Sequence, residues 1–138
     1  WFLLSAEKNN PDAQYHIGLM HHYGQNASID YLVAMEWYLK AAKQTHMRAC
    51  MEIGYLYQNG YGVPANEQLA FQWFLSLKKS NYSNAQLKMS LLYYHGIGLS
   101  KDYKQAMEWY LKSSSNGNID SLFYIAFLYH NGLGITAN

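Results

Sequence analysis

The sequence predicts an all-α fold, a solenoid of 36-residue helix-turn-helix repeats. Three spacings carry the prediction. Small residues recur at Ala13, Ala49, Ala85 and Ser121. Glycine recurs at Gly24, Gly60, Gly96 and Gly132, and tryptophan at Trp1, Trp37, Trp73 and Trp109. Members of each set stand 36 residues apart, with no insertion or deletion between them. A strict period of this length marks an architecture in which each unit buries its apolar face against its neighbours.

The clearest unit runs from residue 10 to 45. Asn10-Pro11-Asp12 reads as a helix start: Asn caps, Pro occupies the first helical position, and Asp faces the positive end of the dipole. The first helix of the repeat then continues to about Tyr23 through Ala13, Ile17, Gly18 and Met20, with His21 where later copies have Tyr. Gly24 ends it, because glycine takes the left-handed conformation at no steric cost.

A short loop follows. It reads Gly60-Tyr61-Gly62-Val63, Gly96-Ile97-Gly98-Leu99 and Gly132-Leu133-Gly134-Ile135, with Asn26 replacing the second glycine in the first copy. Asn is the next most tolerant residue for positive φ. The apolar residue closing the loop is expected to plug the gap between the two helices.

The second helix starts at Asp30, Asn66 and Asp102, all good N-caps. Gln105 gives the third a capping-box partner. Ala34, Ala70 and Ala106 allow close approach of the two helices. Trp37-Tyr38, Trp73-Phe74 and Trp109-Tyr110 are expected to supply most of the buried area. Lys40, Lys43, Lys78, Lys79 and Lys112 cluster near the ends of these helices and read as a solvated face.

The resulting organisation is a single domain over 1–138. Residues 1–9 are the end of a preceding repeat, 10–45, 46–81 and 82–117 are full repeats, and 118–138 is a partial one. Trp1-Phe2-Leu3 aligns with Trp37-Tyr38-Leu39, and Asn138 aligns with the N-cap of a second helix. Without polar capping repeats, the sequence reads as an internal stretch of a longer protein.

Half the residues are hydrophobic, 17% are aromatic and only 14% are charged, which excludes a disordered tail. A net charge of +1 gives a nucleic-acid partner no electrostatic support. No apolar run approaches the ~18 residues of a membrane span. Cys50 is the only cysteine, so no disulfide forms within the chain. That leans toward a reducing compartment such as the cytoplasm, with the endoplasmic reticulum lumen and an extracellular location left open. Two sequons occur, Asn26-Ala27-Ser28 and Asn81-Tyr82-Ser83, where about one chance match is expected in an Asn-rich chain, so they carry little weight.

The pattern Ala49…Ile53-Gly54…Tyr57…Gly60-Tyr61-Gly62-Val63-Pro64…Ala70…Trp73-Phe74 resembles the Sel1-like repeat, as does Ala106…Trp109-Tyr110-Leu111-Lys112 continuing into Gly117. Tetratricopeptide repeats share the two-helix logic but have a 34-residue period and lack the Gly-x-Gly-Val loop. Departures occur at His21, Asn26, Ser90 and Ala126, each small, aromatic-like or tolerant of the geometry. The resemblance implies a right-handed α/α superhelix acting as an adaptor. Family members scaffold protein complexes, including ubiquitin-ligase assemblies, activate cell-wall synthesis enzymes, or act in signalling and host–microbe contacts.

In such a solenoid the first helices line the concave surface. Their outward positions are predicted to be Asp12, His16, Leu19 and Tyr23; Arg48, Glu52, Tyr55 and Asn59; Asn84, Lys88, Leu91 and His95; and Asp120, Tyr124, Phe127 and Asn131. The copies differ here while the core positions agree. Leu19, Tyr55, Leu91 and Phe127 are expected to form an exposed apolar row fit for a protein or peptide partner within a larger complex.

Enzymatic and cofactor chemistry finds no support. His16, His21 and His22 form no known ligand motif, and neither His-Glu-x-x-His nor Cys-x-x-Cys occurs, so no metal and no cofactor is assigned. Ser5-Ala6-Glu7-Lys8 and Ser76-Leu77-Lys78-Lys79 match Ser-x-x-Lys, but the companion motifs of penicillin-recognising enzymes are absent. A β-lactam-binding or hydrolysing branch of the family relies on a disulfide in each repeat. A single-stranded RNA-binding repeat would need more than Arg48 and Lys88 in its groove. The sequence is therefore read as a non-enzymatic scaffold, with those two classes as alternatives.

Overall fold

A computed structural model describes residues 2–78, 83–96 and 100–134 of the chain. Trp1, Lys79, Asn81, Tyr82, Ile97, Gly98, Leu99, Ile135 and Asn138, which entered the sequence reading, lie outside them. The contacts divide the chain into two compact units, Trp1–Ser76 and Leu77–Asn138. The first holds α1 (Phe2–Glu7), α2 (Pro11–Tyr23), α3 (Tyr31–Ala42), α4 (Met47–Asn59) and α5 (Glu67–Leu75). The second holds α6 (Ser83–His95), α7 (Tyr103–Ser115) and α8 (Asp120–His130). No strand occurs among the described residues. Within each unit every helix packs against the next, so each hairpin of the repeat is a local structure.

The predicted caps form. The Ala13 N–H donates to Asn10 Oδ1 at 3.0 Å, and Pro11 follows at the first helical position. Asp30 Oδ1 accepts from the Leu32 and Val33 N–H groups, Asn66 Oδ1 from Leu69 and Asp102 Oδ1 from Gln105. The loop geometry follows as well. Gly24 and Gly60 end their helices at φ 71° and 70°, and Asn26 takes φ 56° where the other copies have glycine. Val63 closes its loop against the core of the first unit, as expected.

The capping box does not form as read from the sequence. The Asp102 N–H donates to the Tyr93 carbonyl at 3.0 Å, not to Gln105. The same backbone bond recurs in each hairpin, from Asp30 N–H to His21 O and from Asn66 N–H to Tyr57 O. It satisfies one orphan donor at the start of the second helix with an orphan acceptor at the end of the first.

The centre of each core is the aromatic after the tryptophan, not the tryptophan. Tyr38, Phe74 and Tyr110 are fully buried beside Ala34, Ala70 and Ala106. Trp109 is buried, but Trp37 and Trp73 are only half-buried. The reason is the missing side chain on the facing helix. A Cβ at Gly18 would lie 2.4 Å from Tyr38, and one at Gly54 would lie 2.4 Å from Phe74. The rings at 38 and 74 rest against bare backbone, which leaves the neighbouring tryptophans toward the surface. Two of the lysines read as solvated cover them: Lys40 Nζ sits 4.0 Å above the Trp37 ring and Lys112 Nζ 4.2 Å above Trp109.

Candidate partner-binding face

The sequence-predicted site residues lie on α2 and α4 in the first unit and on α6 and α8 in the second. In the first unit two side-chain contacts link α2 and α4: His46, the N-cap of α4, meets Asp12 at the start of α2 (2.9 Å), and His22 near the end of α2 meets Glu52 midway along α4 (3.6 Å). In the second, Asn118 at the start of α8 donates through Nδ2 to Asn84 Oδ1 on α6 at 3.0 Å. The Tyr94 ring on α6 meets Tyr124 and Phe127 on α8 at centroid distances of 6.4 and 6.3 Å. These contacts tie together, within each unit, the first helices that carry the predicted residues.

Their exposure differs from the prediction. His16, Tyr23, Asn59, His95, Phe127 and Asn131 are exposed. Leu19, Tyr55, Leu91 and Tyr124 are half-buried: Leu19 and Leu91 pack on the two cores, Tyr55 meets Phe74 edge-on at 5.6 Å, and Tyr124 stacks on Tyr110 at 5.0 Å. Glu52 and Lys88 are buried, at 7% and 8% exposure. The expected exposed apolar row thus reduces to Phe127, with Tyr23 one turn beyond Leu19 adding a second exposed ring. The cause is the neighbouring second helix. Tyr38 shares one core with Ala49, Ile53 and Leu56 of α4, and Tyr110 stacks on Tyr124 of α8.

Burial sets the electrostatics. It pushes the Glu52 carboxyl up to about 7 and pulls the Lys88 ammonium down to about 8. It also lowers His22, whose Nδ1 lies 2.9 Å from the Tyr38 hydroxyl. Glu52 Oε2, 3.6 Å from the same nitrogen, has no hydrogen-bond partner. Both shifts favour a neutral acid beside a neutral imidazole. Tyr23 is raised by burial and then by the Glu52 charge, and its ring stacks on His22 at 4.3 Å. Asn59 and Asn131 donate to the carbonyls one turn back, Tyr55 O and Phe127 O.

Sequence reasoning did not find the His22–Tyr38–Glu52 cluster. The signal in the sequence was partial: the copy with Tyr at 38 carries His at 22 and the copy with Phe at 74 carries Gln at 58, but the copy with Tyr at 110 carries Tyr at 94. Among the described residues no three His, Cys, Asp or Glu side chains are placed to hold a metal, and no helix is long and apolar enough to cross a membrane. Cys50 is buried and its thiol raised, chiefly by burial.

The Sel1 repeat pattern matches residues 11–46, 48–81, 83–118 and 119–138. A Sel1 repeat protein from Oxalobacter formigenes is similar at 32% identity and a TM-score of 0.86, over 94% of this chain and 53% of its own. The c5321 protein, a protective antigen present in uropathogenic Escherichia coli strains that displays an SLR fold, matches at 32% identity and a TM-score of 0.93. That match covers 98% of this chain and 29% of its own. The chain therefore spans about half of the first protein and under a third of the second. Cysteine rich protein B of Helicobacter pylori shares the fold at 21% identity and a TM-score of 0.70, over 89% of this chain and 88% of its own. No curated protein matches the chain. The repeats, their spacing and these neighbours agree on the all-α class of α/α solenoids: the chain belongs to the Sel1 repeat family.

Proposed function

We propose that the chain is a non-enzymatic scaffold that binds a protein or peptide partner along the face formed by the first helices of its repeats. Sel1 repeats commonly serve as protein-interaction scaffolds. One observation carries the reading. On these faces aromatic rings stand in solvent, Tyr23 at 57% and Phe127 at 39% exposure, although each helix has buried positions available for apolar residues. Exposed aromatics flanked by polar groups such as His16, Asn59, His95 and Asn131 match the composition of interface anchors and rims.

The test is affinity capture with the intact chain beside a Tyr23→Ala, Phe127→Ala variant that circular dichroism shows to be folded. Both side chains are exposed, so the variant keeps the core. Partners lost only with the variant support the face. Identical partner sets move the binding elsewhere and overturn the reading.

A further inference from the structure

A cleft of about 460 Å³ opens in the first unit between the end of α1, the start of α2 and the last turn of α3. Its size falls within the ~300–1,000 Å³ in which proteins hold small organic ligands. It shares no residue with the first-helix face described above.

Its polar groups are arranged with little left over. Gln14, buried, donates through Nε2 to the Ala6 carbonyl at 3.2 Å and to Asn9 Oδ1 at 3.3 Å. Gln44 donates through Nε2 to the same Asn9 Oδ1 at 3.2 Å and to Gln14 Oε1 at 3.0 Å. Both hydrogens of each glutamine amide are thereby committed. Asn9 Nδ2 remains as a donor and Gln44 Oε1 as an acceptor, the pair that one peptide group requires.

The rest of the cleft supplies charge and apolar surface. Lys40 and Lys43 place two cations at its edge, the first held above the Trp37 ring. The half-buried Trp37 and the buried Ala6 give an apolar wall. Glu7 is the single anion of the lining.

We propose that this cleft binds the carboxylate end of a polypeptide chain. The terminal carboxylate lies between Lys40 and Lys43, where charge-assisted hydrogen bonds are strongest. The last peptide group meets Asn9 Nδ2 and Gln44 Oε1, and an apolar last side chain rests on Trp37 and Ala6. Glu7 disfavours a second carboxylate, so the residue before the end is neutral or basic.

The probes are acetyl-Ala-Leu-Phe with a free carboxylate and the same peptide as its C-terminal amide. Each is titrated into isotope-labelled protein while the Trp37 indole and the Asn9, Gln14 and Gln44 amide signals are followed. The free acid is expected to shift these signals. The amide is expected to bind at least tenfold more weakly, and Lys43→Ala, an exposed substitution checked for folding, to weaken the acid by a similar factor. Exchanging Leu for Glu in the probe is expected to weaken binding, with Glu7→Gln restoring it. Equal binding of acid and amide, shifts confined to α2 and α4 residues of the first-helix face, or no shift at millimolar peptide would each overturn the proposal.

Discussion

The His46 ring spans two helices by bonding Asp12. Its Nδ1 accepts the Ala49 N–H at 3.2 Å and so caps α4, which leaves the proton on Nε2, 2.9 Å from Asp12 Oδ1 in the first turn of α2. Tyr15 stacks on the ring at 4.7 Å. In the second unit Asn118 does the same work: Oδ1 accepts from the Ser121 N–H while Nδ2 donates to Asn84, the residue at the repeat position of Asp12. One side chain thus starts a helix and ties it to the previous repeat.

His46→Ala is therefore expected to cost about 1–2 kcal/mol, the loss of a cap together with a tether. His46→Asn is expected to stay within about 0.5 kcal/mol of the parent, because Asn10 and Asn118 already cap from this position. Denaturant unfolding followed by circular dichroism distinguishes the two.

Gly54→Ala adds a methyl where Phe74 leaves 2.4 Å. In an open helix the change would stabilise by up to about 1 kcal/mol. Here the buried ring has nowhere to go, and a net loss of about 1–3 kcal/mol is expected. Pairing it with Phe74→Leu is expected to recover part of the loss in a double-mutant cycle, and full additivity would contradict the contact.

Glu52 makes stability depend on pH. Its folded value near 7 lies above its ordinary 4.5, so the folded state holds the proton more tightly and stability falls as pH rises from about 4.5 to 7, then levels off. Glu52→Gln is expected to gain about 2–3 kcal/mol over the parent at pH 8 and almost nothing at pH 4. His22, lowered by burial, acts in the opposite sense and costs stability as pH drops below its ordinary 6.5. The variant is therefore expected to keep that acid-side loss, together with a rise in stability above about pH 8 from the lowered Lys88 ammonium. Unfolding curves from pH 4 to 9 for parent and variant give the comparison.

The two buried tyrosine hydroxyls predict opposite outcomes. Tyr38 OH meets His22, whereas Tyr110 OH is buried without a partner. Tyr38→Phe is expected to cost about 1–2 kcal/mol by stranding the imidazole, and Tyr110→Phe to be neutral or stabilising by up to about 1 kcal/mol. Phe74 shows that the repeat accepts a ring without a hydroxyl. Thermal unfolding of the two variants checks both signs.

The period, the caps at Asn10, Asp30, Asn66 and Asp102, and the positive φ of Asn26 were legible because each is decided by residues close in sequence. Burial at 52 and 88 was not. A helical wheel separates the side facing the partner helix from the rest, but it does not say what else covers each position. Position 52, read as outward, carries a buried acid beside the His22–Tyr38 pair, and position 88 carries a buried amine. The order of Trp37 and Tyr38 was obscured for a related reason. Both are large and apolar, and in the first copy the bare backbone at Gly18 is what gives Tyr38 its seat. The amide-lined cleft was invisible because Asn9, Gln14 and Gln44 meet from three separate segments.

The backbone bonds from Asp30 to His21, from Asn66 to Tyr57 and from Asp102 to Tyr93 each join residues nine apart in sequence. Such short closures keep contact order low, the regime in which chains fold fast and without waiting for distant segments to find each other. Each hairpin completes its own ring before it needs a neighbour. Whole hairpins can then be duplicated or deleted without re-pairing anything far along the chain, and arrays of very different length remain foldable from the same unit.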